Sequence, residues 1–259
     1  MFRFGDMYEK LNSIKKSPIL GKMTPFKIIG NVYFVGTYQA SSHLIDTEEG
    51  LILIDTGYAD TADMVLQSIQ ELGFSLSDIK YIINTHWHRD HTEATERFAK
   101  LTGAKTLIGR KDAKNAEKYF HADILIDDGD SLTLGTTSIF FLHTPGHTQG
   151  TISFFFETVE DGKAYRVGSF GGAGLNTLVP DHFEFDGCRE AYRNSLHRLM
   201  QERVDVFIGN HTWNNGTYEK SQKLLQTGEN DFIDGQIWMD ILKRYEQRLD
   251  EIIASEKEQ

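Results

Sequence analysis

Three histidines and one aspartate occupy four of six consecutive positions, as His86, His88, Asp90 and His91. An apolar run at 81–83 precedes them and a helix-like stretch follows, so we expect the cluster where a strand ends and a helix begins. His86 and His88, two positions apart on an extended segment, project the same way and can bind one metal ion. Asp90 and His91 then lie beyond the turn and can reach a second ion. The alternative is that the histidines cap a helix or fill a polar pocket, and the combined pattern favours the metal site.

Two more histidines follow predicted strands. His147 lies in a turn at 144–148, where Pro145 restricts the backbone that presents the ring. His211 follows the apolar run 206–208. Either histidine alone would more often be a packing or loop residue. Together with the first cluster they complete two sets of three candidate ligands.

The composition argues against several classes of protein. The chain has 259 residues, of which 39% are hydrophobic, and this is enough for a large core. Its 27 basic and 38 acidic residues give a net charge of −11. This charge argues against nucleic acid as a partner, because binding requires basic side chains that neutralise phosphates. The single cysteine, Cys188, excludes an intrachain disulfide.

The sequence also predicts a location. Residues 1–20 contain no apolar run long enough for a signal peptide, and no later stretch approaches the roughly 20 apolar residues that span a bilayer. We therefore expect a cytoplasmic protein that acts on a small molecule and has no membrane partner. The sequence leaves the oligomeric state open.

Short apolar runs bounded by turn residues predict strands. These runs lie at 26–29, 32–35, 43–45, 51–54, 81–83, 106–108, 124–126, 131–134, 138–142, 151–156, 164–167 and 204–208. Helical spacing of apolar residues predicts helices. These helices lie at about 60–72, 92–101, 112–119 and 187–202 and from 235 onward. The chain contains no internal repeat or low-complexity linker, so we expect one domain with two sheets and helices outside both.

Four motifs resemble those of the metallo-β-lactamase superfamily. They are Leu53-Ile54-Asp55-Thr56-Gly57, His86-Trp87-His88-Arg89-Asp90-His91, Pro145-Gly146-His147-Thr148 and Gly209-Asn210-His211. The similarity covers roughly residues 24–255 and is greater to the B3-like subclass, whose second zinc is held by Asp, His and His. The resemblance implies an α/β fold, the αβ/βα four-layer sandwich, for a domain at 24–259 that includes the C-terminal helix. Residues 1–23 would form an N-terminal extension.

The resemblance also implies the ligands of two zinc ions. The first zinc would be bound by His86, His88 and His147. The second zinc would be bound by Asp90, His91 and His211. Asp55 would orient the ligands from outside the coordination sphere. Iron or manganese could occupy the same geometry, so the native metal stays open.

Such a site can perform hydrolysis. Two adjacent divalent ions lower the pKa of a bound water and polarise a carbonyl, so no serine or cysteine nucleophile is required. Asp90 would orient the attacking hydroxide as well as bind the second zinc. The leading hypothesis is a zinc-dependent hydrolase of a small amide or β-lactam-type substrate. The alternative is an intracellular lactone, ester or thioester hydrolase that uses the same dinuclear site.

Other classes of protein fit the sequence less well. A di-iron oxidoreductase is disfavoured because related oxygen-reducing proteins carry a carboxylate at the position of His88. The acidic net charge disfavours a nuclease, and the full ligand set disfavours a binding module without catalysis.

The segment 168–175 bears on the substrate. In many hydrolases of the superfamily a carboxylate in the corresponding segment bridges the metals, but residues 168–175 contain no Asp or Glu. This absence fits the Asp-His-His subclass and weighs against hydroxyacylglutathione hydrolases and lactonases. Lactamases of that subclass typically carry serines that bind the drug's carboxylate, and Gly172 and Gly174 replace them here. The candidate substrate contacts are Ser169, Asn176, Thr177 and Tyr38.

Overall fold

The first sheet begins as an antiparallel meander and ends with parallel strands. A computed structural model describes residues 4–257 of the chain. Seven of the described strands pair in sequence order. They are β1 (Phe26–Ile29), β2 (Val32–Phe34), β3 (His43–Asp46), β4 (Leu51–Ile54), β5 (Ile79–Asn84), β6 (Lys105–Gly109) and β7 (Ile124–Ile126). Neighbours from β1 to β4 are antiparallel and those from β4 to β7 are parallel.

The second sheet has five strands in the order β12-β11-β10-β9-β8. They are β8 (Ser131–Leu134), β9 (Thr137–His143), β10 (Ile152–Glu160), β11 (Lys163–Ser169) and β12 (Val206–Phe207). Strands β8 to β11 are antiparallel neighbours, and β12 joins the edge parallel to β11. The carboxyl ends of β9, β11 and β12 therefore lie at the same edge of this sheet.

Helices cover the outer face of each sheet. The described helices are α1 (Phe4–Lys16), α2 (Ala62–Glu71), α3 (Arg89–Thr92), α4 (Thr95–Thr102), α5 (Ala113–Ala116), α6 (Cys188–Leu199), α7 (Thr212–Asn215), α8 (Thr217–Thr227) and α9 (Ile237–Lys257). Residues of α2 and α4 share a buried cluster with the first sheet, and residues of α6 and α9 share one with the second. Across residues 4–257, no helix combines the length and apolarity that a membrane crossing needs.

Strand β10 illustrates how the four layers pack. Phe154 and Phe156 lie in the core between the two sheets, together with Phe34 and Phe141. Phe155, on the opposite face, packs against Trp238 of α9 with ring centroids 5.9 Å apart. Because successive strand residues point to opposite faces, an uninterrupted apolar strand indicates a sheet that is covered on both sides. The predicted αβ/βα four-layer sandwich is confirmed.

Several elements differ from the sequence prediction. The helix predicted at 92–101 corresponds to α4, which the short helix α3 precedes. The strand predicted at 204–208 is limited to β12, whose two residues pair with β11, and Val206 also forms an isolated bridge with Ile233. The sequence analysis did not predict α1, α7 or α8. Ile14 of α1 is buried in the core between the sheets, so part of the N-terminal extension packs on the domain. The boundary at residue 23 stays a prediction.

The core between the sheets makes a testable prediction. Phe154 is fully buried, so Phe154→Ala should lower the free energy of unfolding by about 3 to 5 kcal/mol through lost burial and a residual cavity. Val159 on the same strand is 60% exposed, and Val159→Thr should change the free energy by no more than about 0.5 kcal/mol. Urea denaturation of both variants measures the difference. Equal losses would show that β10 is not buried as described.

Candidate metal centre

The candidate ligands meet where strands of both sheets end. His86 and His88 follow β5, and α3 begins directly after His88. His147 lies in the loop between β9 and β10, and His211 precedes α7 after β12 ends. Ligands at the carboxyl ends of strands occupy the usual place for a site in an open α/β fold.

The first cluster contains His86, His88 and His147. One ligand atom from each lies within 4.8 Å of the other two, and His88 Nδ1 is 3.0 Å from His147 Nε2. His86 and His147 are buried, and His88 is partly buried. The buried Nε2 atom of His86 makes no hydrogen bond, and a buried polar atom without a partner is costly unless it binds something.

The second cluster contains Asp90, His91 and His211. Asp90 Oδ2 lies 3.3 Å from His91 Nε2 and 3.6 Å from His211 Nε2. His91 is fully buried, and its Nε2 atom also makes no hydrogen bond. The ring centroids of His86 and His91 are 4.3 Å apart, so the two clusters adjoin.

In three of these histidines, Nδ1 faces away from the cluster and is held in place by a neighbouring group. His147 Nδ1 lies 2.9 Å from the Gly174 carbonyl, His211 Nδ1 lies 2.6 Å from the Gln39 carbonyl, and His91 Nδ1 lies 2.8 Å from Asp55 Oδ2. Such partners accept the N–H of one ring nitrogen and leave the other free to bind a metal. Together with the orphaned nitrogens, this arrangement fits a pair of divalent ions.

The electrostatics of the two clusters differ. In the first, burial lowers the pKa of His86 and His147 well below the usual range, and neighbouring histidines contribute in the same direction for His86. These rings are therefore neutral, which is the form that binds metal. In the second, burial opposes the charged form of His91, but the carboxylates of Asp90 and Asp55 outweigh it and raise the pKa of His91 to about 10. The second cluster thus places two carboxylates beside His91, whereas the first consists of imidazole rings alone.

Asp55 links the strand ends to the second cluster. Its Oδ1 accepts a hydrogen bond from the Thr85 backbone N–H, and its Oδ2 accepts one from the Thr85 hydroxyl, both at 2.8 Å. The residue is 1% exposed and has a φ of 55°, a left-handed conformation that is uncommon outside glycine. Asp55 therefore lies outside both clusters and contacts the candidate ligand His91, and its role toward a metal stays a prediction.

The sequence profile of the metallo-beta-lactamase superfamily matches residues 35–211. This segment contains every ligand of both clusters. The chain belongs to the metallo-beta-lactamase superfamily.

Solved structures of the superfamily share the fold over nearly the whole chain. The subclass B3 metallo-beta-lactamase BJP-1 of Bradyrhizobium japonicum is 28% identical, with a TM-score of 0.84 over 92% of this chain and 96% of that one. The class B3 di-zinc metallo-beta-lactamase LRA-12 from an Alaskan soil metagenome is 27% identical, with a TM-score of 0.81 over 89% of this chain and 94% of that one.

Sequence relatives in the superfamily carry other names. An N-acyl homoserine lactonase of a Bacillus species is 28% identical over 64% of this chain and 79% of the relative. A hydroxyacylglutathione hydrolase of Maricaulis maris is 31% identical over 56% of this chain, and the match spans 52% of that relative. The matches are with superfamily hydrolases of more than one substrate class.

The glycine segment of this metallo-beta-lactamase superfamily member packs tightly against the first cluster. A Cβ atom at Gly172 would lie 2.8 Å from His147 Cβ, and one at Gly171 would lie 1.9 Å from the Ile152 carbonyl oxygen. Neither distance is compatible with a side chain unless the backbone moves. The segment therefore supports His147 through close backbone contact, and no acidic side chain projects from it.

The four predicted substrate contacts lie in different settings. Asn176 is exposed and lines a cleft, whereas the Thr177 hydroxyl donates to the His147 carbonyl at 2.8 Å. Ser169 is 3% exposed. Tyr38 is 2% exposed, and its ring packs against Tyr218 with centroids 5.5 Å apart. The burial of Ser169 and Tyr38 argues against substrate contact by either side chain.

A cleft of about 630 Å³ lies beside the second cluster. His211 forms part of its wall, next to Trp213, and α9 contributes Tyr245, Arg248 and Ile252. The cleft therefore offers apolar, aromatic and charged surface next to a candidate ligand. The sequence analysis did not associate α9 with the site.

Asp112 is a buried carboxylate that the sequence analysis missed. It is fully buried, and its Oδ2 accepts hydrogen bonds from the Trp87 backbone N–H at 3.0 Å and the Thr148 hydroxyl at 2.6 Å. Its Oδ1 accepts one from the Gly150 N–H at 2.6 Å. Burial raises the pKa of Asp112 to about 6, although these hydrogen bonds oppose the rise. One carboxylate thus connects the loop of His86 and His88 to the loop of His147.

Replacing Asp112 tests this connection. Asp112→Ala leaves three donors without their acceptor, so the free energy of unfolding should fall by about 2 to 5 kcal/mol. Asp127→Ala removes an exposed carboxylate paired with Arg110 and should cost no more than about 1 kcal/mol. Chemical denaturation at neutral pH measures both changes. A loss at position 112 no larger than that at position 127 would contradict the role assigned to Asp112.

Proposed function

We propose that this chain is a dinuclear zinc hydrolase that cleaves a small amide or β-lactam-type substrate. The observation that carries the proposal is the pair of adjoining clusters, each with three candidate ligand atoms within 4.8 Å of one another. The first zinc would be held by His86, His88 and His147. The second zinc would be held by Asp90, His91 and His211. A relative named as a di-zinc enzyme shares the fold and supports zinc as the metal.

The residues of the chain then have distinct tasks. Two bound zinc ions would supply an acidified water and a polarised carbonyl. Asp90, whose carboxylate lies beside His91 and His211, would orient the attacking water as well as bind zinc. Asp55 keeps the His91 ring fixed, and the Gly174 carbonyl does the same for His147. Fixed ligands matter because a misplaced reacting group lowers the rate steeply.

Two observations support an amide or lactam substrate. The segment 168–175 contributes no carboxylate, and its close packing leaves no room for a side chain at Gly172, beside His147, or at Gly171, beside the Ile152 carbonyl. The subclass B3 structures match nearly the entire chain. In place of the missing serines, backbone N–H groups of the glycine segment and the exposed Asn176 would contact the substrate's carboxylate.

A lactone, ester or thioester is the second candidate substrate class. The sequence relatives named as lactonase and hydroxyacylglutathione hydrolase support it. Both classes would use the same two clusters of this chain, and substrate tests separate them directly. The net charge of −11 favours a small molecule over nucleic acid, and a cytoplasmic location stays a prediction of the sequence.

Metal content tests the ligand set. The purified chain should bind two zinc ions, one for each cluster, and His211→Ala should retain only one. His182→Ala is the matched control, because His182 is exposed and belongs to neither cluster. Zinc is measured by elemental analysis after dialysis against a weak chelator. The ligand assignment fails if the parent protein binds no zinc or if both variants lose the same amount.

Hydrolysis of a chromogenic cephalosporin tests the substrate class. Zinc-loaded protein should turn over the compound, and removal of zinc or the change His88→Ala should reduce kcat/KM by at least roughly 100-fold, since even partners of metal ligands contribute 10- to 100-fold. A parallel panel contains an acyl homoserine lactone and a glutathione thioester. If two zinc ions bind but only the panel compounds are cleaved, the second substrate class is correct and the first is wrong.

A further inference from the structure

His88 directs a different ring nitrogen into its cluster than the other candidate histidine ligands do. Its Nδ1 atom lies 3.0 Å from His147 Nε2, so Nδ1 is the nitrogen directed into the first cluster. The opposite nitrogen, Nε2, therefore points away from the cluster. It faces Glu184, whose Oε2 lies 3.9 Å away. This separation is a charge contact and is too long for a hydrogen bond.

Glu184 is held close to His88 by a second contact. Its Oε1 accepts a hydrogen bond from the Trp87 indole N–H at 2.7 Å. The two oxygens of one carboxylate therefore face two consecutive residues of the histidine motif. Only 17% of the Glu184 side chain is exposed, so solvent screens the contact incompletely.

The loop that carries Glu184 is anchored on both sides. Before Glu184 in the chain, Leu178 is fully buried, and the Leu178 carbonyl accepts a hydrogen bond from Arg189 Nε at 2.6 Å. Beyond it, α6 begins at Cys188 and packs on the second sheet. On the other side of Trp87, Lys118 Nζ lies 4.3 Å from the ring centroid and favours its position. The carboxylate therefore has a defined place beside the first cluster.

We propose that Glu184 is a positioning residue for the first metal ion. Its carboxylate faces the Nε2 side of the His88 ring and favours the tautomer with the N–H on Nε2, which leaves the Nδ1 lone pair facing the cluster. A carboxylate behind a ligand histidine also increases the basicity of the ring. The inference rests on the metal site of the proposed function. It extends that site to a residue of the loop 176–187.

Zinc affinity in a single-site background tests the proposal. His211→Ala removes a ligand of the second cluster and leaves the first cluster complete. In that background, Glu184→Gln should weaken zinc binding by roughly 10- to 100-fold, as expected when a carboxylate partner of a ligand histidine is lost. Asp181→Asn removes an exposed carboxylate from the same loop and should leave the affinity unchanged. Competition with a chromogenic chelator measures all three proteins.

The outcomes separate positioning from folding and from the proposed function. Thermal denaturation without metal should give equal Tm values for Glu184→Gln and its parent, and Glu184→Ala repeats the comparison if the glutamine variant does not fold. Unchanged zinc affinity in Glu184→Gln, or an equal loss in Asp181→Asn, would overturn the role of Glu184. Failure of the parent to bind zinc at all would instead overturn the proposed function.

Discussion

The carboxylate of Asp55 is the interaction on which the candidate metal centre depends. It is almost completely buried, and a buried charge is stable only when it is paired and hydrogen-bonded. Thr85 supplies its backbone N–H and its hydroxyl, and the His91 ring supplies the third contact. These contacts fix the end of β5 against the end of β4 and orient a ligand of the second cluster. Because Asp55 adopts a left-handed conformation, the surrounding contacts must also offset backbone strain.

Asp112 performs a comparable task for the first cluster. Asp55 acts on the turn after β5 from within the first sheet, whereas Asp112 connects that turn to the loop after β9 in the second sheet. The two loops come from different sheets, so the packing of the sheets determines the distance between His88 and His147. The glycine segment after β11 packs so closely that a side chain at Gly172 would collide with His147 and one at Gly171 would collide with the Ile152 carbonyl. Two buried carboxylates and one run of glycines thus place ligands that are far apart in sequence.

Local patterns predicted most strands and pointed to the candidate ligands, because these features depend on neighbouring residues. The ligand assignment itself stays a prediction. Histidines two positions apart on an extended segment, and the apolar run of Phe154 to Phe156, each carry their own signal. Asp112 carries no such local signal, because its neighbours in sequence resemble an ordinary helix start. Its hydrogen-bond partners are distant in sequence, at Trp87, Thr148 and Gly150. The burial of Tyr38 likewise depends on Tyr218 of α8, a helix that the sequence analysis did not predict. Contacts between distant segments were therefore the part that a single sequence could not supply.

The division between metal ligands and substrate surface follows from the same architecture. Four of the six candidate ligands follow strand ends, and the other two, Asp90 and His91, lie in the short helix α3 that follows β5. The cleft beside His211 is instead lined largely by α9 and by residues 174–179, and within that loop the Gly174 carbonyl and the Thr177 hydroxyl contact His147. Changes at exposed wall residues such as Asn176 can alter the shape and charge of the cleft while the ligand distances stay the same. A lactam, a lactone and a thioester present the same carbonyl to such a centre. We therefore expect the cleft and its loops to decide among them.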